Sequence, residues 1–229
     1  MEAQVVAGKI IIYIFQWNFI NSNMYVLKDK DSMLIIDPIY TEEAVAFFKS
    51  VNVHNAIIIL THEHFDHING VNWLREHFLC VVYSNKVCAE HICSATKNLS
   101  AHSEAIAMFN KSVCRTVTVP PFTCSSDIVF DSVMNISWQG YEVKMITTPG
   151  HTDGSICVLL SDKYLFTGDT LLDVPTITRL PGGSRERFHK VTLPYLKSLL
   201  KKQCIVLPGH GKVNRLQNLL DQYFTEGEA

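Results

Sequence analysis

Four times in this chain a mainly apolar run leads to a side chain able to bind a metal ion. Ala56-Ile57-Ile58-Ile59-Leu60 runs into Thr61-His62, and Val143 to Ile146 leads to Pro149-Gly150-His151. Tyr164-Leu165-Phe166 leads to Gly168-Asp169, and Ile205-Val206-Leu207 leads to Pro208-Gly209-His210. Short apolar runs closed by turn residues read as buried strands. In three of the four a glycine directly precedes the donor, so the backbone can turn tightly there. Strand ends that deliver side chains to one sheet edge commonly build a site. The fold therefore needs core strands in both halves of the chain, with their ends carrying the chemistry.

The first of these stops is the richest. Thr61-His62-Glu63-His64-Phe65-Asp66-His67 holds three histidines and two acids in a chain that is only 18% charged. His62 and His64 are two residues apart, which in extended backbone points both to one side. Asp66 and His67 are expected at the start of a following helix, with Asp66 as its cap. The donors number seven: His62, His64, Asp66, His67, His151, Asp169 and His210. Two divalent ions of four or five coordination need about six or seven protein ligands, water filling the rest. Imidazole and carboxylate without thiolate suit zinc foremost, and also iron or manganese. The expected cofactor is thus two divalent metal ions. A hydroxide between two such cations stays nucleophilic at neutral pH, because the metals depress the pKa of bound water. It would attack an acyl carbonyl. Asp66 is expected to orient the nucleophile as well as ligate.

Around these stops the chain alternates strands with short helices. Strands are expected at 10–15, 24–27, 33–36, 56–60, 113–119, 128–130, 133–138, 141–147, 155–160, 164–167 and 204–207. Helical patterns fall at 41–50, 69–77, 85–110 (broken near Asn98-Leu99-Ser100), 193–200 and 213–224. Strands dominate both halves with helices at their flanks, which suggests two sheets packed together with helices outside. No low-complexity linker or charge block divides the 229 residues, so a single domain over 1–229 is expected.

Composition excludes several classes of function. A formal net charge of -2 with scattered basic residues gives no general pull toward nucleic acid or membrane surfaces. No run approaches the roughly 20 apolar residues of a membrane span, and the apolar 10–15 stretch lacks the basic leader and cleavage site of a signal peptide. The seven cysteines are odd in number and form no CxxC pair, which fits free thiols in a reducing compartment. A cytoplasmic enzyme acting on a small molecule is expected. His54, His77, His91, His102 and His189 are read as structural or surface residues. Glu63 and Phe65 are read as supporting the ligands, and Cys157 as core.

His62-x-His64-x-Asp66-His67, Gly150-His151, Gly168-Asp169 and Gly209-His210, in this order over nearly the whole chain, resemble the metallo-β-lactamase-fold hydrolase superfamily. That resemblance implies an α/β fold, an αββα sandwich of two mixed sheets with helices on the outer faces. It implies that His62, His64 and His151 hold one ion, Asp66, His67 and His210 the other, and that Asp169 bridges them. Thr148 to Leu160, Leu165 to Leu172, Leu180 to Ser184 and Val206 to Gly211 are similar to the glyoxalase II (hydroxyacylglutathione hydrolase) branch. The implied activity is hydrolysis of a small acyl ester, thioester or lactone.

Two departures from that branch matter. Only 19 residues follow His210, too few for the branch's C-terminal helical domain. Thr176-Ile177-Thr178-Arg179 also stands where the branch has Gly-Arg-Thr-Asp before the Leu-Pro-Gly-Gly turn. Both weaken the case for a glutathione thioester as substrate. The alternatives are a mononuclear iron enzyme of the persulfide dioxygenase kind and a metal-binding protein without hydrolase activity. Substrate contacts are expected from the 85–110 segment or from the 173–189 loop, whose Arg179, Arg185 and Arg187 suit an anionic substrate.

Overall fold

The computed structural model describes residues 3–7, 10–109 and 119–223. The chain divides into two compact units, Met1–Phe130 and Asp131–Ala229. Each contains one mixed β-sheet with its own helices.

The N-terminal unit is a seven-stranded sheet in sequence order. Its strands are β1 (Ala3–Ala7), β2 (Ile10–Trp17), β3 (Ser22–Asp29), β4 (Ser32–Ile36), β5 (Asn55–Ile59), β6 (Leu79–Asn85) and β7 (Ile128–Phe130). β1 to β4 form an antiparallel meander, and β4 to β7 run parallel. Helices α1 (Glu42–Ser50) and α2 (Val71–His77) make the parallel crossovers, which antiparallel hairpins cannot do. Their apolar faces supply Ala44, Phe48, Val71 and Leu74 to a core shared with Met33, Ile35 and Ile58 of the sheet. Thr41 caps α1, its hydroxyl accepting from the Ala44 N–H at 3.1 Å. Helices α3 (Lys86–Ile92) and α4 (Ser103–Phe109) lie in the expected 85–110 segment. The break expected there is real: Leu99 adopts a left-handed φ of 66°.

The C-terminal unit is a six-stranded sheet, again in sequence order. It comprises β8 (Val133–Trp138), β9 (Tyr141–Thr147), β10 (Ile156–Leu160), β11 (Tyr164–Gly168), β12 (Ile205–Pro208) and β13 (Asn214–Arg215). Only β11 and β12 pair in parallel. Their crossover carries α5 (Arg185–Arg187), a π-helical turn (Phe188–Thr192) and α6 (Leu193–Ser198); α7 (Leu216–Leu220) follows β13. Every residue of β10 and β11 is buried. That is why both read as unbroken hydrocarbon rather than alternation. Cys157, Leu159, Leu165 and Val206 pack there against Phe188, Leu193 and Leu196. Among the described residues no helix is long and apolar enough to cross a membrane.

Several expectations need correction. Asp66 caps no helix: it sits inside a single 3-10 turn, Phe65–His67, and α2 begins only after Gly70. β1 and β6 were not foreseen. β6 is apolar in sequence from Leu79 to Tyr83 although Leu79 and Val81 are exposed. Residues 214–215 are a strand rather than part of a closing helix. The strand expected at 113–119 lies outside the described residues except for Val119, as do Cys114 and the end of the expected 213–224 helix. The six described cysteines are free thiols, and all but Cys80 and Cys93 are buried.

Gly70 fixes α2 against the end of β4. Its N–H donates to the Pro38 carbonyl at 2.9 Å, and a Cβ there would meet Pro38 and Ile39 backbone atoms at 2.9 Å. Backbone cannot yield as a side-chain tip does. Gly70→Ala is therefore expected to lower stability by about 1–3 kcal/mol. Urea unfolding checks this as a reduced midpoint with an unchanged slope.

Candidate metal centre

In the N-terminal unit the ligand segment starts where β5 ends, and one carboxylate organises it. Asp37, the first residue after β4, has a φ of 53° and its N–H donates to the Ile59 carbonyl at 3.1 Å. Aspartate tolerates this left-handed conformation better than most residues. So placed, Asp37 Oδ1 accepts the Thr61 N–H at 2.7 Å, and Oδ2 accepts the Thr61 hydroxyl at 2.6 Å. His67 Nδ1 lies 3.0 Å from the same Oδ2.

These contacts dictate imidazole tautomers. The Asp37 carboxylate accepts, so the His67 Nδ1 facing it carries the proton and Nε2 does not. The Thr61 hydroxyl spends its hydrogen on Asp37, so its oxygen accepts from His62 Nδ1 at 3.1 Å. His62 Nε2 is thereby also left without a proton. His62 Nε2 faces His64 Nδ1 at 3.1 Å, and His67 Nε2 faces Asp66 Oδ2 at 3.3 Å. Asp66 is held by its backbone, its carbonyl accepting from Ser22 Oγ at 2.9 Å. His62, His64, Asp66 and His67 are all buried.

The intervening residues do what was expected of them. Glu63 is buried and pairs with His91 of α3 at 3.0 Å, tying the segment to that helix. Phe65 packs in a cluster with Phe19, Leu99 and Val119, and Trp17 meets its ring edge.

In the C-terminal unit backbone groups do the positioning. His151 Nδ1 lies 2.8 Å from the Ile177 carbonyl, which only accepts, so Nε2 again has no proton. The strand end around His151 is clamped from both sides. Ser184 N–H donates to the Gly150 carbonyl at 2.8 Å, and Thr192 Oγ1 to the Pro149 carbonyl at 2.6 Å. Gly150 is required by close approach, since a Cβ there would lie 2.6 Å from Phe188 Cβ. Asp169 follows Gly168, which has a φ of 47° where the β11–β12 register shifts. That irregularity turns the chain out of the sheet. Asp169 Oδ2 ends 3.6 Å from His151 Nε2 and 3.4 Å from His210 Nε2.

The donor set fits divalent metal. Two ligands on a tetrahedral ion with bonds near 2.0–2.1 Å stand about 3.3 Å apart. The within-unit donor pairs above span 3.1 to 3.6 Å. Three histidines have their second nitrogen fixed by an acceptor, the arrangement that orients imidazole ligands in metal sites. The sequence-predicted donors thus fall into two sets, His62, His64, Asp66 and His67 in one unit and His151, Asp169 and His210 in the other. Asp37, Thr61 and the Ile177 carbonyl were not foreseen as supporting groups. Asp37 had a signal: Asp37-Pro38 ends the apolar stretch Met33 to Ile36 as the other donors end theirs.

Comparison with known proteins bears on this arrangement. The sequence profile of the metallo-beta-lactamase superfamily matches residues 17–210. A probable polyketide biosynthesis zinc-dependent hydrolase, BaeB, of Bacillus velezensis is 27% identical over 191 residues, covering 81% of this chain and 71% of that protein. A hydroxyacylglutathione hydrolase of Salmonella arizonae is 29% identical over 192 residues, covering 82% of this chain but only 57% of that enzyme. Among solved structures, the BLEG-1 B3 metallo-beta-lactamase is similar with a TM-score of 0.74 and 26% identity, over 92% of this chain and 96% of that one. The expected fold class is the one observed.

Asp37→Asn isolates the supporting carboxylate. An amide facing His67 Nδ1 presents a donor to a donor, which drives the imidazole proton to Nε2, the atom needed for metal. Turning the amide over instead gives up the Thr61 N–H. Metal affinity is expected to fall about 10- to 100-fold, measured by competition with a chromophoric chelator.

Proposed function

This chain belongs to the metallo-beta-lactamase superfamily, and from that premise we propose that it is a dinuclear metal-dependent hydrolase of small acyl esters, thioesters or lactones. In this reading His62, His64 and His151 hold one ion, Asp66, His67 and His210 hold the other, and Asp169 bridges the two. The observation that carries the reading is the fixed tautomer of His62, His67 and His151, each with Nδ1 committed to an acceptor and Nε2 left to ligate. His77 and His91 also commit Nδ1 to an acceptor, but in His62, His67 and His151 the Nε2 atom in addition faces a second metal-competent side chain at 3.1 to 3.6 Å. The imidazole and carboxylate set favours zinc, with iron or manganese also suited.

When bound, the ions would supply Lewis-acid polarisation of the acyl carbonyl and acidification of a water molecule. The chain's own groups do the rest. Asp66 would orient the attacking water by accepting one of its hydrogens. Asp37 keeps His67 and Thr61 from rotating, so the donors pay little reorganisation when charge develops. Burial of the histidine segment excludes bulk water and strengthens each of these interactions.

The direct test is metal content together with a substrate panel. Purified chain should carry close to two divalent ions, zinc foremost. The zinc-loaded form should hydrolyse thioesters or lactones in preference to cephalosporins and phosphodiesters. One iron with an empty second position would overturn the dinuclear reading, and phosphodiester cleavage alone would overturn the acyl one. Asp169→Asn keeps size but removes charge shared between two cations. Elemental analysis should then find weaker retention at one position, and turnover should fall by orders of magnitude. Retention of both ions with near-normal rates would show Asp169 to be misassigned.

A further inference from the structure

The C-terminal unit carries a cavity of about 500 Å³ that none of the metal donors lines. That volume lies in the range of small-molecule sites. Its wall includes Ile177, Arg179, Arg185, Phe188, His189 and Tyr223. Tyr223 anchors one side, its hydroxyl 2.8 Å from both the backbone nitrogen and Oγ1 of Thr176 and its ring 5.2 Å from that of Phe188.

The charges around this cavity are divided unevenly. Arg187 is paired with Asp153, and Lys190 with Glu186 at 2.7 Å. Among the described residues neither Arg179 nor Arg185 has an ion pair or side-chain hydrogen bond, yet both line the cavity, with His189 beside them. Both arginines are exposed and line the same space, which concentrates positive charge there. A bound oxyanion relieves this and accepts from both planar forks. The remaining wall is mixed: Ile177, which is 44% exposed, Pro175 and Phe188 supply hydrocarbon, and Thr176, Thr178 and Gln222 supply polar groups. The cavity therefore combines an anion-binding rim with a surface for hydrocarbon. It also adjoins the proposed centre through one residue, because Ile177 both lines it and fixes His151 through its carbonyl.

We propose that this cavity binds the anionic end, a carboxylate or a phosphate, of the acyl substrate, with Arg179 and Arg185 as its ligands. The proposal rests on the hydrolase reading above and adds the class of substrate: an acyl compound whose non-reacting arm ends in an oxyanion. Arg187, which the sequence groups with the other two, has no part in it.

The experiment uses the full zinc-loaded chain and non-hydrolysable thioether analogues that share one acyl-like end. Their other arm ends in a carboxylate, a phosphate or an uncharged amide, and affinity is read by calorimetry. At least one anionic analogue should bind about tenfold tighter than the amide, equivalent to about 1.4 kcal/mol. Which anion gains identifies the source of the charge. Arg179→Gln/Arg185→Gln should abolish the advantage, each single variant should lose part of it, and Arg187→Gln should keep it. Equal binding of all three analogues, or an advantage that survives the double variant, overturns the proposal. Hydrolysis of a thioester with an uncharged arm is measured separately. Its absence alongside selective anion binding counts against the hydrolase reading and not against the cavity.

Discussion

The Asp37 carboxylate is the contact on which the histidine segment depends. A buried carboxylate is costly unless its oxygens are satisfied. Here a backbone N–H, a hydroxyl and an imidazole N–H converge on it. The same three bonds that offset its burial set the path of the chain at Thr61 and the rotation and tautomer of His67. Through the shared hydroxyl they also set the tautomer of His62. One residue's solvation problem thus fixes two ligands, which lie 25 and 30 positions further along the chain.

The C-terminal unit reaches the same result without a buried acid. The Ile177 carbonyl takes the role that Asp37 has for His67, and the chain is aimed by close approach at Gly150 and by the irregular register before Asp169. These are backbone devices. The contact to His151 uses the Ile177 carbonyl, so it does not depend on which side chain that position carries.

Much of this was legible in the sequence because the strands that lead to donors are mainly apolar, β11 and β12 being almost wholly buried and β5 and β9 partly so. A mainly apolar run that closes on a histidine or aspartate is a strong pattern, and β5, β9, β11 and β12 were all found by it. β6, with Leu79-Cys80-Val81-Val82-Tyr83, is an apolar run as well, but no metal-competent side chain closes it, and so it was passed over. The Asp66 cap was misjudged for a local reason: the chain makes one 3-10 turn before α2, and Gly70 rather than Asp66 sits at the helix start. The arginine group could not be resolved either. Arg179, Arg185 and Arg187 are alike in sequence, and only the position of Asp153 separates the paired one from the others. Asp37 was visible as a strand end, but its role depends on Thr61 and His67 lying next to it in space, which spacing along the chain does not reveal.

The buried thiols have a consequence for which ions the chain meets productively. Burial pushes Cys124 and Cys157 up to about 12 and Cys80 up to about 11, and raises Cys88 and Cys204 as well. Soft cations such as copper(I), and mercurial reagents, are captured by thiolate rather than thiol. These five cysteines offer them almost none at neutral pH. Cys93 is the exposed exception among the described cysteines. Burial thus disfavours the thiolate at these five positions and weakens the capture of thiophilic metals there.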